Sequence, residues 1–281
     1  MTIHLYALCW NDDRMLGFFF RHYDRFVDRY IIFDDDSSDA SRAILSAHPR
    51  VELRNMPANL AGLGVTERAL ELWNGAWKES RGSADWVFVT EIDEHLEHPE
   101  LLGYLAGCKA SGVTIVPALG FQMLSPVFPD ANEMLCATRT LGAPFKQQSK
   151  LSIFDPSAVD QIAYVAGRHV ATPTGRVVAP SRDELVNRHY KYLGPDYVYA
   201  RNQALGARLT PRDDGLAHRW RWGKQELVED WEQFSSCLVN LAAPEFEPDA
   251  VHPVKRWWDP FRVKSMAASE GAAFAAPSQE A

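Results

Sequence analysis

The sequence predicts an α/β fold built around a mostly parallel β-sheet. Over the first 120 residues, short apolar runs typical of buried strands alternate with segments whose apolar residues recur at helical spacing. This alternation indicates βαβ units joined by right-handed crossovers. The chain has 281 residues, of which 46% are hydrophobic and 23% charged, so it is long enough and apolar enough to bury a substantial core.

The apolar pattern also places the individual elements. The first run stops at Asn11, a residue type favoured at helix N-caps, and this predicts a helix start there. No linker divides the chain, so we expect one domain over residues 1–266, and the low-complexity segment 267–281 predicts a disordered tail. The predicted strands are 3–10, 30–33, 51–55, 86–89 and 113–119, with short ones at 150–154 and 161–165. The first predicted helix starts after residue 11, the second ends near residue 48, and the others cover 65–78, 99–108, 195–209 and 224–241.

Charge and composition exclude several classes of protein. The formal net charge of -8 and the pI near 5.6 argue against a nucleic-acid partner, because binding to phosphate backbones needs a basic face. There is no signal-peptide pattern and no run of about 18 apolar residues, so we expect a cytoplasmic protein. The cysteines have no C-x-x-C spacing, which predicts reduced core thiols and no clustered-thiol zinc site; they are Cys9, Cys108, Cys136 and Cys237.

Clusters of acidic or amide side chains follow three of the predicted strands, at residues 11–13, 34–36 and 91–94. Each cluster alone could be turn or helix-cap chemistry. Because ligands bind outside the carboxyl ends of strands in open α/β sheets, we expect the three clusters to converge on one edge. Oxygen ligands of this kind suit Mg²⁺ or Mn²⁺, which often bridges carboxylates and substrate phosphates. The three clusters together therefore predict a metal and phosphate site.

The residues around these clusters resemble motifs of family 2-type glycosyltransferases. The similarity extends over roughly residues 5–205, and it departs from the usual pattern where Glu91 replaces the first Asp of the acidic motif, where His95 replaces a common Phe and where Asp12 replaces a Glu. The matching segments are Asn11-Asp12, the strand and turn 30–39 (Tyr-Ile-Ile-Phe-Asp-Asp-Asp-Ser-Ser-Asp), the element 84–96 (Ala-Asp-Trp-Val-Phe-Val-Thr-Glu-Ile-Asp-Glu-His-Leu) and the element 188–192 (Arg-His-Tyr-Lys-Tyr).

The resemblance implies a GT-A fold and a sugar-transfer activity. Residues 1–120 would form a Rossmann-like nucleotide-binding half, joined without a break to a less regular acceptor-binding half, 121–266. The implied reaction moves a sugar from a nucleotide-diphosphate donor, UDP-linked in the first instance, to a hydroxyl group with inversion. The acceptor class stays open between a glycan, a lipid-linked molecule and a small molecule.

The resemblance also implies roles for residues of the first half. Asp34 and Asp35 would contact the base and ribose of the donor, with Asn11 lining the same pocket. Asp93 would bind Mn²⁺ or Mg²⁺ at the donor diphosphate. Glu91 would assist through the ribose or the metal.

A further metal ligand is expected from the second half of the chain. His189 is the first choice because it lies in the 188–192 motif, and His169 is the alternative. Lys191 would meet phosphate oxygens of the donor. An inverting transfer also needs a general base, for which Asp130, Glu133 and Asp155 are candidates outside any motif.

Two other functions stay open on the sequence alone. A sugar nucleotidyltransferase would also need acidic residues, but it would carry a Gly-rich phosphate loop where this chain has Asn-Asp-Asp. A non-catalytic module binding a nucleotide-sugar or Ca²⁺ is compatible with Glu91 in place of Asp. The aromatic and basic segment 252–262 is either a flap or peripheral membrane contact, or a segment packed on the domain.

Overall fold

A computed structural model of the chain describes residues 1–213, 215, 217–252 and 255–263. The tail predicted for residues 267–281 lies outside these residues. The first half alternates strands and helices as predicted, and its helix after Gly64 ends at residue 75, where the chain tightens into a 3₁₀ turn. The elements are β1 (Ile3–Cys9), α1 (Asp13–Tyr23), β2 (Arg29–Asp34), α2 (Ser41–Ala47), β3 (Val51–Asn55), α3 (Val65–Gly75), β4 (Trp86–Glu91), β5 (Glu94–Glu97), α4 (Leu101–Ala110) and β6 (Ile115–Ser125).

The second half is less regular, and two sequence predictions there are wrong. The strand predicted for 161–165 ends at Gln161, because Ala163 adopts a left-handed backbone with φ of 51°. The helix predicted for 224–241 ends at Ser235, because Val239 pairs with Gly142 in the sheet. The elements are α5 (Leu135–Thr138), β7 (Leu141–Pro144), β8 (Lys150–Phe154), β9 (Val159–Gln161), β10 (Thr174–Gly175), β11 (Val186–Leu193), α6 (Pro195–Gly206), α7 (Lys224–Ser235), β12 (Val239–Asn240) and α8 (Pro248–Val251).

Ten strands of the described chain form one continuous sheet, in which the order runs β12-β7-β6-β8-β4-β1-β2-β3 and β11 joins β6 to β5. The neighbours β3, β2, β1 and β4 are all parallel, and β6 and β11 are parallel to each other. Cys9 at the end of β1 pairs with Asp34 of β2, and Leu8 pairs with Glu91 of β4. The three acidic clusters therefore lie along one edge of the sheet, as the parallel arrangement predicts.

Helices cover both faces of this sheet. Phe19 of α1 packs with Ile32 on one face, whereas Trp73 of α3 packs with Ile31 on the other, because successive strand side chains point in opposite directions. The sheet crosses residue 120 without interruption through β6. The predicted α/β class with a mostly parallel central sheet is confirmed. None of the helices in the described ranges has the length and apolar character needed to cross a bilayer.

The aromatic and basic segment near the end of the described chain packs onto the domain. Trp258 is buried, and its indole N–H donates to Asp183 Oδ1 at 3.0 Å. Arg256 and Arg262 form ion pairs with the same Asp183 at 3.3 and 2.6 Å. These contacts favour the packing interpretation of residues 255–262 over a membrane contact.

Candidate active site

The turn between β4 and β5 presents Asp93 at the carboxyl edge of the sheet. The backbone N–H of Tyr190 donates to the Asp93 carbonyl oxygen at 2.7 Å, so β11 holds the turn from the other side. Nε2 of His189 lies 3.4 Å from Oδ2 of Asp93, whose side chain is 25% exposed. The structure therefore places Asp93 and the predicted second-half ligand His189 side by side.

The side chain of Gln122 fixes the orientation of His189. The Gln122 amide nitrogen donates to the carbonyl oxygens of His189 and Met123 at 3.0 and 3.3 Å, so its Oε1 accepts from His189 Nδ1 at 2.7 Å. In the neutral imidazole the Nε2 lone pair then faces the Asp93 carboxylate. Two acceptors face each other, and either a proton on Nε2 or a cation near both groups relieves their repulsion.

Glu94, the last acidic residue of the motif, is buried and supports the turn from behind. Its carboxylate forms ion pairs with Lys150 at 2.5 Å and with Arg168, and it accepts the Glu91 backbone N–H at 3.2 Å. Burial raises the pKa of Glu94, but the cations Arg168 and Lys150 outweigh this effect and hold the pKa well below its usual range. Glu94 therefore positions the turn rather than facing a ligand.

Three carboxylates converge near the Asp93 turn, and Asp12 is the one that sequence reasoning left without a role. Burial raises the pKa of Asp12 to about 6; Arg201 opposes this shift, whereas Asp93 and Glu91 add to it. Burial also raises the pKa of Glu91, with Lys150 opposing and Glu94 and Asp93 adding to the shift. Converging carboxylates of this kind favour a bound cation.

Cationic side chains border this acidic group. Burial lowers the pKa of Lys191 to about 8; Asp93 opposes this shift, and Arg219 and Arg201 add to it. Arg201, on α6, donates to Asp12 Oδ1 at 2.6 Å and to the carbonyl oxygens of Trp10 and Asn11, both at 2.9 Å. Its position on the helix that follows the 188–192 motif was the only sequence signal for Arg201. The site thus offers both acidic ligands and groups that can neutralise phosphate.

Asn11 ties the first acidic cluster to the loop after β2, and its predicted role as a helix N-cap is wrong. Its backbone has φ of 49°, outside the helix, and its Oδ1 accepts from the backbone N–H groups of Ser38 and Asp39 at 2.7 and 3.3 Å. Asp12 occupies the cap position, and its carboxylate binds Arg201 instead of the helix N–H groups. Asn11 therefore holds two edge loops together.

Asp34 and Asp35 have different surroundings. Asp34 is 1% exposed, pairs with Arg42 at 2.6 Å and accepts the Ser37 backbone N–H at 3.1 Å, so it orders the loop. Both Arg68 (2.9 Å) and Arg208 contact the same Asp35 oxygen, Oδ2, and its Oδ1 takes part in neither ion pair.

Asp35 also lines an open cleft of about 340 Å³. The Trp10 ring forms another part of the wall, with the Arg208 guanidinium carbon 4.0 Å from its centroid. A flat aromatic ring, an acceptor oxygen and arginines are suited to a nucleoside phosphate. The full lining is Trp10, Asp35, Asp36, Met56, Pro57, Ala58, Ala61, Arg68 and Arg208.

The alternative histidine, His169, contacts a different loop. Its Nδ1 bonds to the Gln147 carbonyl oxygen, and burial lowers its pKa to about 4, with Lys150 adding to the shift. Among the described contacts, none joins His169 to Asp93, in contrast to His189.

The general-base candidates lie away from the Asp93 turn. The Asp130 backbone N–H donates to Glu133 at 2.9 Å, and Glu133 forms an ion pair with Arg139 at 2.7 Å. Asp155 follows β8, whose last residue pairs with Val87 near the start of β4, at the opposite edge of the sheet. The structure brings none of the three candidates into described contact with Asp93.

The fold and this edge define an α/β protein with an acidic, cation-bordered site at the ends of parallel strands. No family model and no curated protein matches the chain. Among solved structures, it is similar to residues 1–349 of TarS from S. aureus (11% identity, 83% of this chain and 71% of that chain, TM-score 0.40) and to the same protein with UDP-GlcNAc (13%, 83% and 72%, 0.37).

A further similarity is to glucosyl-3-phosphoglycerate synthase from Mycobacterium tuberculosis, solved with Mn²⁺, UDP and phosphoglyceric acid. Here the identity is 21%, the match covers 43% of each chain, and the TM-score is 0.28.

Proposed function

We propose that this protein is a glycosyltransferase that moves a sugar from a nucleotide-diphosphate donor, UDP-linked in the first instance, to a hydroxyl acceptor. The observation that carries the proposal is the arrangement along one sheet edge. The Asp93–His189 pair and Lys191 lie at the end of β4, and the cleft of Trp10 and Asp35 lies past the end of β1. A nucleoside in the cleft would direct its diphosphate along the edge towards Asp93.

The potential metal ligands around Asp93 suit a divalent cation. Carboxylate oxygens of Asp93 and Glu91 and a neutral imidazole nitrogen of His189 suit Mn²⁺, and the carboxylates also suit Mg²⁺. His189 Nε2 and Asp93 Oδ2 lie 3.4 Å apart, and both atoms would attract a cation when the imidazole is neutral. When bound there, the ion would supply Lewis-acid stabilisation of the charge that develops on the diphosphate.

The chain's own cations serve the same leaving group. Lys191 and Arg201 lie within electrostatic reach of Asp93, so their charges stabilise negative charge that grows on the departing diphosphate. Asp34 and Asn11 act indirectly by ordering the loop beside the cleft. Direct transfer to an acceptor hydroxyl on the opposite side of the sugar would invert the anomeric centre.

A donor screen tests the proposal. Thermal unfolding of the full chain with a panel of nucleotide-diphosphate sugars should show a raised melting temperature with the true donor, because a ligand that binds only the folded state stabilises it. Hydrolysis or transfer of that donor with Mn²⁺ should then release the nucleoside diphosphate. Pyrophosphate release would indicate a nucleotidyltransferase, and binding without turnover would indicate a non-catalytic module.

Asp35→Asn is expected to weaken UDP binding by about 1.5–3 kcal/mol, the usual range for a hydrogen bond to a charged group. The carboxylate lines the cleft and also holds Arg68 and Arg208 in place. Calorimetric titration with UDP measures the effect. Asp160→Asn, an exposed change on β9, is the control. Equal UDP affinities in the two variants would show that Asp35 is not part of the donor site.

His189→Ala is expected to raise the Mn²⁺ concentration needed for half-maximal activity by about 10-fold or more, which corresponds to about 1.4 kcal/mol. His169→Ala is the matched control and should shift this concentration less, because His169 bonds to the Gln147 backbone. Titrations of Mn²⁺ against both variants decide between the histidines. A larger shift in the His169 variant would show that the second-half ligand is the other residue.

A further inference from the structure

A cluster of two histidines and one cysteine lies where α1 packs on β5, and it has no part in the proposed donor site. His22 belongs to α1, His95 to β5 and Cys136 to the short helix α5. Each residue offers one potential ligand atom, an imidazole nitrogen or the sulfur, and these three atoms lie within 4.8 Å of one another. Cys136 follows His95 by 41 positions and His22 by 114, so the spacing of the cysteines in the sequence did not indicate this cluster.

His22 is oriented as metal-binding histidines usually are. Its Nε2 bonds to the Leu96 carbonyl oxygen at 2.8 Å, so the ring proton is on Nε2 and the lone pair on Nδ1. Nδ1 faces the Cys136 sulfur at 3.0 Å.

His95 provides an independent observation. Its side chain is 1% exposed, and both ring nitrogens are buried with no hydrogen-bond partner among the described residues. The ring stacks on His22, with ring centroids 4.6 Å apart and ring planes inclined by 10°. Because imidazole lone pairs lie in the ring plane, one of the two rings must turn out of this stack for both to bind one ion. A buried nitrogen without a partner is costly, and in native proteins such atoms usually indicate a bound water or ion.

We propose that His22, His95 and Cys136 bind a thiophilic transition-metal ion, Zn²⁺ or Cu⁺, through two imidazole nitrogens and one thiolate. Thiolate and imidazole ligands select such ions over Mg²⁺ or Mn²⁺, so this site is chemically distinct from that of Asp93. On binding, the Cys136 thiol releases its proton to solvent and a metal–sulfur bond replaces the contact with His22. Zinc–ligand distances of about 2.0–2.3 Å place tetrahedral ligand atoms roughly 3.5 Å apart. Ligand atoms that are now up to 4.8 Å apart must therefore approach, and the His22 Nδ1–Cys136 Sγ pair, at 3.0 Å, must separate slightly.

The position of Cys136 permits this closure, and its neighbours limit the charge of the site. Cys136 is partly exposed, which gives an ion a path to its thiol, and its side chain can reach a different rotamer without a change in the backbone. The Arg188 guanidinium donates to the Cys136 carbonyl oxygen at 2.9 Å and is paired with Glu97. Cu⁺ with a thiolate is neutral overall, whereas Zn²⁺ with a thiolate carries one positive charge beside the Arg188–Glu97 pair.

Cobalt substitution tests the ligand set in the full chain. Co²⁺ bound by a thiolate gives a charge-transfer absorption in the near ultraviolet. This absorption should develop in the wild-type protein and in Cys237→Ser, whose cysteine is exposed elsewhere, and should be lost in Cys136→Ser and His95→Phe. Its absence from the wild type, or its persistence in Cys136→Ser, would overturn the proposal.

Metal content separates the two ions. The wild-type chain is loaded with Zn²⁺ or, under anaerobic reducing conditions, with Cu⁺, then desalted and analysed. About one equivalent of one ion should remain in the wild type and in Asp93→Asn, and it should be lost in Cys136→Ser. Equal content of both ions in the wild type and Cys136→Ser would show that Cys136 donates only a hydrogen bond to His22.

Alkylation of the wild-type protein keeps the test independent of variant folding. After removal of bound metal, the loaded ion should slow N-ethylmaleimide modification of Cys136 by about 10-fold or more, an effect of about 1.4 kcal/mol. The exposed Cys237 in the same sample serves as the internal control and should be unaffected. Equal modification of Cys136 with and without the ion would overturn the proposal.

Discussion

Asp93→Asn is expected to lower kcat/KM for sugar transfer by about 10³-fold, a loss of about 4 kcal/mol. The change removes the negative charge that faces His189 and lies at the centre of the proposed cation site. The same carboxylate opposes the burial-induced drop in the pKa of Lys191, so its loss also weakens the positive charge available to the diphosphate. Steady-state kinetics at saturating and limiting Mn²⁺ measure the loss.

Controls separate this loss from misfolding. Asp93→Asn should unfold cooperatively with a melting temperature near that of the wild type, since Asp93 is partly exposed and its backbone contact with Tyr190 is kept. Asp160→Asn should keep full activity. Wild-type activity that survives EDTA, or full turnover by Asp93→Asn, would contradict the assignment of this residue.

Glu94→Gln is expected to destabilise the fold by about 3–5 kcal/mol, because it leaves the buried cations Lys150 and Arg168 without their counter-charge. Both cations are almost fully buried, so water cannot replace the lost carboxylate charge. Urea denaturation at pH 7 measures the difference. Glu52→Gln is the matched control: Glu52 also pairs with two arginines, Arg29 and Arg54, but it is 40% exposed, and its loss should cost about 1 kcal/mol or less.

The contribution of Glu94 should also depend on pH in a defined direction. Its pKa in the folded protein lies well below the usual range, so its stabilisation is fully present above the unfolded-state value of about 4.3. The stabilisation is lost as the pH falls below that value, because the unfolded chain then takes up the proton first. The difference in free energy of unfolding between the wild type and Glu94→Gln should therefore become smaller at low pH. If Glu94→Gln lowered the free energy of unfolding at pH 7 as little as Glu52→Gln does, the supporting role of Glu94 would be contradicted.

Much of the fold could be predicted because it depends on local patterns. The strand at Val51–Asn55 has the predicted bounds, and the strands at Trp86 and Ile3 begin where the apolar runs begin. Errors arose where a distant partner overrode local preference. Val239 leaves the helical pattern because it pairs with Gly142, almost a hundred residues earlier in the chain.

The site could be predicted only as a location. The sequence indicated that acidic residues follow three strands, and parallel strands bring such residues to one edge, but it did not show which carboxylates face a ligand. Asp34 was predicted to contact the donor, and Glu94 belongs to the acidic 91–94 cluster. Each is buried against cations, Asp34 against Arg42 and Glu94 against Lys150 and Arg168.

The sequence by itself determined the βαβ alternation, the strand ends at which acidic residues lie and their convergence on one edge. These follow from side-chain periodicity and from the common direction of parallel strands. The tertiary structure alone decided the partners: Arg208 reaches Asp35 across 173 positions, and Arg201 reaches Asp12 across 189. The physical reason is that ion pairing depends on distances of a few ångströms in space, and residue spacing does not encode such distances between segments so far apart in the chain.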